Sequence, residues 1–179
     1  MINVTEQLIL VDEADQVIGE AEKKSCHIGN GKLHRAFSIF VFNTRNELLI
    51  QKRSDKKMLW PDFWSNSCCS HPRQGEDLHE ALHRRLMQEL KIKCSLNFLY
   101  NFTYQAKYLD IGSENEFCHV FFGKSDEKPM PDPDEVSAIE YIPFQEVAER
   151  LEKYPDEFTP WFKMEWNRIT SDHLSKISL

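Results

Sequence analysis

The sequence predicts a mixed α/β fold built as a single domain over residues 1–179. Three observations predict it. The chain has 179 residues, 41% hydrophobic and 28% charged, enough to bury one real core at an ordinary globular composition. Several apolar runs alternate with the two-residue period of strands. One segment, 75–90, repeats leucine every four residues, as a helix does. No internal repeat, low-complexity tract or linker divides these signals into two sets.

The elements follow in chain order. "QLILVDEADQVIGEAEK" reads as strand, acidic turn, strand. "RAFSIFVFN" (35–43) and "LLIQKR" (48–53) are β-branched or aromatic runs around the turn "NTRNE", a hairpin signal. A tryptophan-rich loop, "SDKKMLWPDFWSNS", leads into "NSCCSHP". In "GEDLHEALHRRLMQEL" Asp77 and Glu80 form an N-cap and capping-box pair, followed by Leu78, Leu82, Leu86 and Leu90. Leu96, Phe98, Tyr100, Phe102 and Tyr104 alternate, as does "ENEFCHVFFGK" (114–124). "EKPMPDPDE" is a proline-rich acidic loop. Thr159 and Pro160 then open a C-terminal helix as N-cap and first residue.

Composition narrows the function. The formal charge is −7, whereas a nucleic-acid footprint is usually a basic face. No run approaches the ~18 apolar residues of a membrane span. The acidic N-terminus lacks the basic segment and cleavage site of a secretory signal. Five cysteines without such a signal point to reduced thiols in the cytoplasm. Cys68 and Cys69 cannot readily bridge, because neighbouring Cα atoms lie only about 3.8 Å apart.

Some polar residues sit where a purely structural reading leaves them without partners. At ~100° per residue, Arg85 and Glu89 fall inside the leucine stripe of the helix. Either they pair with each other under the sheet, or that face borders a polar cavity holding a metal or an anion. The second reading is favoured because Glu114 and Glu116 raise the same question. At strand period they share an otherwise apolar face with Cys118, Val120 and Phe122, and two like charges roughly 7 Å apart there call for a cation. His27 and His34 flank a glycine-containing turn. If "SCCSH" is extended, Cys69 and His71 point one way and Cys68 the other. A Cys/His pair alone fits a nucleophile with its base, metal ligands or a buried thiol.

Taken together, "KLHRAFS" (32–38), "KKMLWPDFWSNSCCSHP" (56–72), "GEDLHEALHRRLMQEL", "ENEFC" and "TPWF" (159–162), in this order, resemble type I isopentenyl-diphosphate isomerase, a divergent branch of the Nudix superfamily. The resemblance spans essentially the whole chain and implies a Nudix-type mixed sheet sandwiched between helices. The Nudix box overlays residues 70–92 with departures. Ser70 replaces its opening glycine, Glu76 holds its first acidic position, "RRLMQE" (84–89) keeps only Glu89 of three glutamates, and Lys91 replaces its closing glycine. So carboxylate-poor a box argues against the magnesium cluster of a diphosphate hydrolase, which is the alternative reading.

By resemblance, His27, His34, His71, Glu114 and Glu116 hold one divalent metal, with a ligand set suited to manganese, zinc or magnesium. Glu89 implies a second ion, magnesium carried by the substrate diphosphate. Lys23, Arg53, Lys57 and Arg85 match the diphosphate-contacting cations, with Lys24 and Lys56 standing beside two of them. Cys69 and Glu116 are implied as the acid–base pair, Tyr104 as a proton conduit beside Glu116, and Trp161 as the wall facing a carbocation. The implied partner is a small prenyl diphosphate, with no nucleic acid and no membrane, acting on a monomer.

Overall fold

A computed structural model describes residues 6–177. Residues 1–5 and 178–179 lie outside the described part, and the expectation of no secretory signal rests partly on them. Strands β1 (Gln7–Val11) and β2 (Val17–Glu22) form an antiparallel hairpin. Its turn is closed by Asp12, whose carboxylate accepts from the Ala14 and Gln16 N–H groups at 2.9 Å. The second strand was expected to continue through Lys23. It stops at Glu22, and the chain turns into a short helix, α1 (Lys23–His27).

Strand β3 (His34–Phe42) is the centre of the sheet, and its two edges explain the architecture. One edge pairs in parallel with β8 (Gly112–Lys124) along its whole length, from His34↔Glu116 to Phe42↔Lys124. The other edge meets three strands in succession. These are β1 at His34, β6 (Cys68–Ser70) at Phe37–Ile39, and β4 (Glu47–Arg53) at Val41–Phe42. The hairpin expected over 35–53 therefore pairs at two positions only. Beyond them β4 leaves to pair with β5 (Trp64–Ser65) and β9 (Val136–Pro143), and β6 takes its place. Strand β7 (Leu96–Tyr108) pairs antiparallel with β8 and completes the sheet.

Period-2 alternation on β3 splits the core into two layers. Phe37, Ile39 and Val41 face α2 (Leu78–Leu90), where they meet Leu82, Leu86, Leu90 and Cys68. Ala36, Phe40 and Phe42 face the opposite layer, made by α3 (Phe144–Lys153) and α4 (Pro160–Arg168), with Val147, Leu151, Phe162 and Trp166. The sheet is thus enclosed by helices on both faces, as expected. Asp77 caps α2, accepting from the His79 and Glu80 N–H groups at 2.8 and 3.3 Å. Lys91 ends it in the left-handed region at φ 59°. This is the position where the Nudix box places glycine, and a non-glycine residue costs about 1–2 kcal/mol there.

Two polar groups depart from the expected pattern in the second layer. Thr159 occupies the N-cap position of α4, but its hydroxyl lies 3.1 Å from Ser65 Oγ and makes no cap bond. Glu165, one turn beyond Trp161, is completely buried. Cys118 Sγ lies 3.6 Å from its Oε1, and its Oε2 has no partner among the described residues. Burial pushes this carboxyl up to about 8, against the smaller downward pull of hydrogen bonds from Ser38 and Cys118.

Folding therefore holds a proton on Glu165 that the unfolded chain releases above pH ~4.5. From this group alone, stability is fully present below that pH and falls as pH rises towards 8, by on the order of 4 kcal/mol. Glu165→Gln is expected to raise the urea midpoint at pH 8, with a much smaller change at pH 5. Equal gains at both pH values would show that ionisation of Glu165 is not the cause.

Candidate active site

The parallel β3–β8 register sets His34 beside Glu116. Helix α1 brings His27 to the same place, and the segment after β6 brings His71. One ligand atom from each of His27, His34, His71, Glu114 and Glu116 lies within 4.8 Å of the others, and all five residues are buried. The His27 and His34 Nδ1–H groups donate to the Lys23 and Lys32 carbonyls at 2.6 and 2.7 Å. A carbonyl can only accept, so both rings carry a proton on Nδ1 and turn Nε2 inward. Against the lowering effect of burial, the Glu114 carboxylate raises His27 above its ordinary value. Gly112 allows α1 to approach, since a Cβ there would collide with the His27 carbonyl oxygen.

The protonation pattern suits a cation. Burial and the neighbouring imidazoles lower His34 to about 4 and push His71 well below its ordinary value, so both are neutral at pH 7. Burial would raise Glu114, but the His27 contact outweighs it and brings the carboxyl down to about 2. Burial and the Glu114 charge push Glu116 upward instead. His27 Nε2 lies 2.9 Å from Glu114 Oε2, and among the described residues neither His34 Nε2 nor His71 Nδ1 has a hydrogen-bond partner. Buried polar atoms left open in this way, converging on one point, fit a divalent metal ion.

Cys69 lies on the same side of the sheet. Its pairing opposite Ser38 puts it on the α4 face, while Cys68, opposite Ile39, is buried against α2. The alternation read from "SCCSH" is correct for both. Trp161 Nε1 donates to Cys69 Sγ at 3.2 Å and to Ser65 Oγ at 3.0 Å. Burial pushes the Cys69 thiol up to about 12, so it is protonated at neutral pH. Tyr104 donates to Glu116 Oε2 at 2.7 Å. Cys69, Tyr104, Glu116 and Trp161 all line one cleft of about 510 Å³.

The cations stand in the same cleft, each already engaged. Lys23 pairs with Glu6 at 2.9 Å, Lys57 with Glu135, and Arg85 with both Glu89 and Glu135, the latter at 3.1 Å. Lys24 and Lys56 also line it. Arg53 donates to the Leu59 and Trp60 carbonyls at 2.8 and 3.0 Å, with its guanidinium 5.2 Å from the centre of the Trp161 ring. Glu89 stands apart from the five-residue cluster. It is buried behind Arg85 and accepts from Gln51 Nε2 at 3.1 Å. Arg85 and Glu89 thus pair with each other, the first of the two readings, and Arg85 also lines the polar cleft.

The NUDIX domain model matches residues 32–162. An isopentenyl-diphosphate delta-isomerase 1 of Photorhabdus laumondii is 44% identical over 174 residues, covering 96% of this chain and 99% of its own. The chain belongs to the isopentenyl-diphosphate delta-isomerase family. A second member, from Pectobacterium atrosepticum, is 42% identical and covers 91% of this chain and 90% of its own. Among solved structures, a Deinococcus radiodurans protein superposes with a TM-score of 0.67 at 24% identity, covering 83% of this chain and 90% of its own. A MutT NUDIX hydrolase of Burkholderia pseudomallei reaches 0.61 at 14% identity, covering 77% and 98%. These likenesses show the NUDIX fold, on which the isomerase family is built.

Several residues in or packed behind this family member's cleft were not singled out from sequence. Glu135 lies in the loop read only as proline-rich and acidic. Ser65 and Asn66 lie in the tryptophan-rich loop, and Glu165 lies in the segment read only as a C-terminal helix. Only Glu165 carried a signal, a charge one turn from Trp161 on the buried side of α4.

Proposed function

We propose that this cleft interconverts isopentenyl and dimethylallyl diphosphate, with Cys69 and Glu116 as the acid–base pair. The observation that carries the reading is the joint placement of a neutral thiol and a tyrosine-bonded carboxyl in one cleft whose walls hold several cations. One residue protonates a terminal alkene carbon to give a tertiary carbocation, and the other removes a proton from the carbon on the far side of the cationic centre, two carbons from the one protonated. The reaction is reversible, so each serves as acid in one direction and base in the other. Tyr104 holds Glu116 and offers its proton a path. Trp161 lies against the reacting carbons, where a desolvated cation–π contact contributes about 2 kcal/mol. That is small against the ~8–23 kcal/mol of barrier lowering typical of enzymes, so preorganised charges in a dry cleft supply the larger share.

His27, His34, His71, Glu114 and Glu116 would hold a manganese, zinc or magnesium ion, which when bound supplies positive charge beside the Glu116 carboxylate. Glu89 would share a magnesium ion with the diphosphate, while Lys23, Arg53, Lys57 and Arg85 contact its oxygens. One chain completes this cleft and all five cysteines are unpaired, which supports a monomeric enzyme in a reducing, cytoplasmic setting. Among the described residues, no helix is long and apolar enough to cross a membrane.

The deciding experiment is proton NMR of isopentenyl diphosphate with the metal-loaded protein in heavy water. Dimethylallyl diphosphate carrying deuterium is the expected product. Release of phosphate or a monophosphate with the alkene unmoved would replace this reading with diphosphate hydrolysis.

Glu135 has an expected effect of its own. Its carboxylate, brought down to about 2 by Lys57 and Arg85 against the opposing effect of burial, holds two of the cations the diphosphate needs. Glu135→Gln is expected to tighten the binding of metal-free inorganic diphosphate by about tenfold, or ~1.4 kcal/mol. It should also steepen the salt dependence. Calorimetry at two ionic strengths measures both, and weaker binding would mean that Glu135 holds the cations in place.

A further inference from the structure

The surroundings of Cys69 hold more than the acid–base pair. Cys69 Sγ donates to Asn66 Oδ1 at 3.0 Å. That amide is fixed, because its Nδ2 donates to the Ile39 and Cys68 carbonyls at 3.2 and 3.1 Å, which aims the oxygen at the sulfur. The Ser65 hydroxyl stands 3.5 Å from the same sulfur, 3.0 Å from Asn66 Oδ1 and 3.1 Å from Thr159 Oγ1, and it accepts from Trp161 Nε1 at 3.0 Å. Ser65, Asn66 and Thr159 are fully buried. The sulfur therefore has one acceptor, suited to a thiol, and two donors, suited to a thiolate.

We propose that Ser65 is a positioning residue for the isomerisation, a rotating hydroxyl that serves Cys69 in both of its charge states. This rests on the assignment of Cys69 to the acid–base pair. When the thiol is intact, its proton lies on Asn66 Oδ1 and the Ser65 proton turns to Thr159 or to the same amide oxygen. When the S–H bond breaks, its proton forms the new C–H bond at the alkene and the electron pair stays on sulfur. The Ser65 O–H then turns towards the sulfur and joins the Trp161 N–H, so that the new charge meets two donors in a buried site. In the opposite direction the sulfur regains a proton from carbon and the hydroxyl turns back. Thr159 is what makes the rotation cheap, since it accepts the Ser65 proton in the thiol state. This also accounts for a helix N-cap threonine whose side chain ignores its helix.

The test compares Ser65→Thr, which keeps the hydroxyl, with Ser65→Val, which has the same shape without it, in the metal-loaded enzyme. Ser65→Ala serves as a smaller variant should valine fail to fold. Removing one oxyanion-hole donor costs ~10²–10³ in kcat, and sulfur is a weaker acceptor. The valine and alanine variants are therefore expected to lose about 10- to 100-fold in kcat, with KM and the binding of inorganic diphosphate unchanged. The threonine variant should stay within about threefold of the parent, because the donor is retained. Full kcat in the valine or alanine variant overturns the proposal, and so does an equal loss in the threonine and valine variants, which would indicate packing alone. A Cys69→Ala control that keeps full activity would instead overturn the assignment of Cys69 itself.

Discussion

Alanine at position 69 is expected to lower kcat by roughly 10²–10⁴-fold, the usual contribution of a positioned acid or base, while KM changes little. Trp161 and Asn66 both hydrogen-bond the sulfur, and alanine removes it without disturbing the Lys57, Arg85 or Arg53 contacts. An interaction lost only in the transition state lowers kcat and kcat/KM together. Proton NMR in heavy water reads the same change as loss of deuterium from the product. A matching rise in KM would mean that Cys69 holds the substrate in the ground state as well. Serine at this position keeps the shape but offers a far weaker acid, so it is expected to fall close to alanine.

Removal of the metal is expected to have the second large effect, on stability as well as turnover. Glu114 and Glu116 are each 7% exposed and stand side by side among buried imidazoles. A group that binds the folded state alone stabilises it by about 4 kcal/mol at a thousandfold excess over its Kd. For a domain of this size each kcal/mol moves Tm by roughly 2–4 °C. Chelation should therefore lower Tm by on the order of 10 °C, and manganese, zinc or magnesium should restore it in proportion to affinity. A thermal scan of the chelated and reloaded protein reads this without reference to activity. An unchanged Tm would remove the five-residue cluster from consideration as a metal site. Glu114→Gln should then behave as the unmutated chain does, whereas a working site predicts weaker metal binding in that variant.

The fold was legible wherever periodicity speaks. The leucine stripe located α2, and the two-residue period of "SCCSH" correctly put Cys69 and Cys68 on opposite faces of the sheet. The hairpin over 35–53 was only partly legible, because pairing depends on which strand arrives beside β3. That strand, β6, is just three residues long and carries little signal of its own. Thr159 was correctly placed at the N-cap of α4, but its side chain does not cap the helix, for a related reason. N-cap chemistry is local, but its hydroxyl is claimed by Ser65, 94 residues away in sequence.

The site divides in the same way. Arg85 and Glu89 could be flagged from the sequence because a charge inside an apolar stripe breaks a local rule, and Glu114 and Glu116 because two carboxylates share a strand face. Family resemblance linked these with His27, His34 and His71, since no single spacing relates them. Residue chemistry and short-range period thus determined the elements, the faces and the list of polar residues without local partners. Only the tertiary structure decided which of those residues meet. The parallel β3–β8 register sets His34 at Glu116, the proline-rich loop returns Glu135 to Lys57 and Arg85, and α4 lays Trp161 on Cys69 beside Ser65. Such contacts join segments far apart in the chain, and their energies arise only once the sheet and its helices have excluded water from between them.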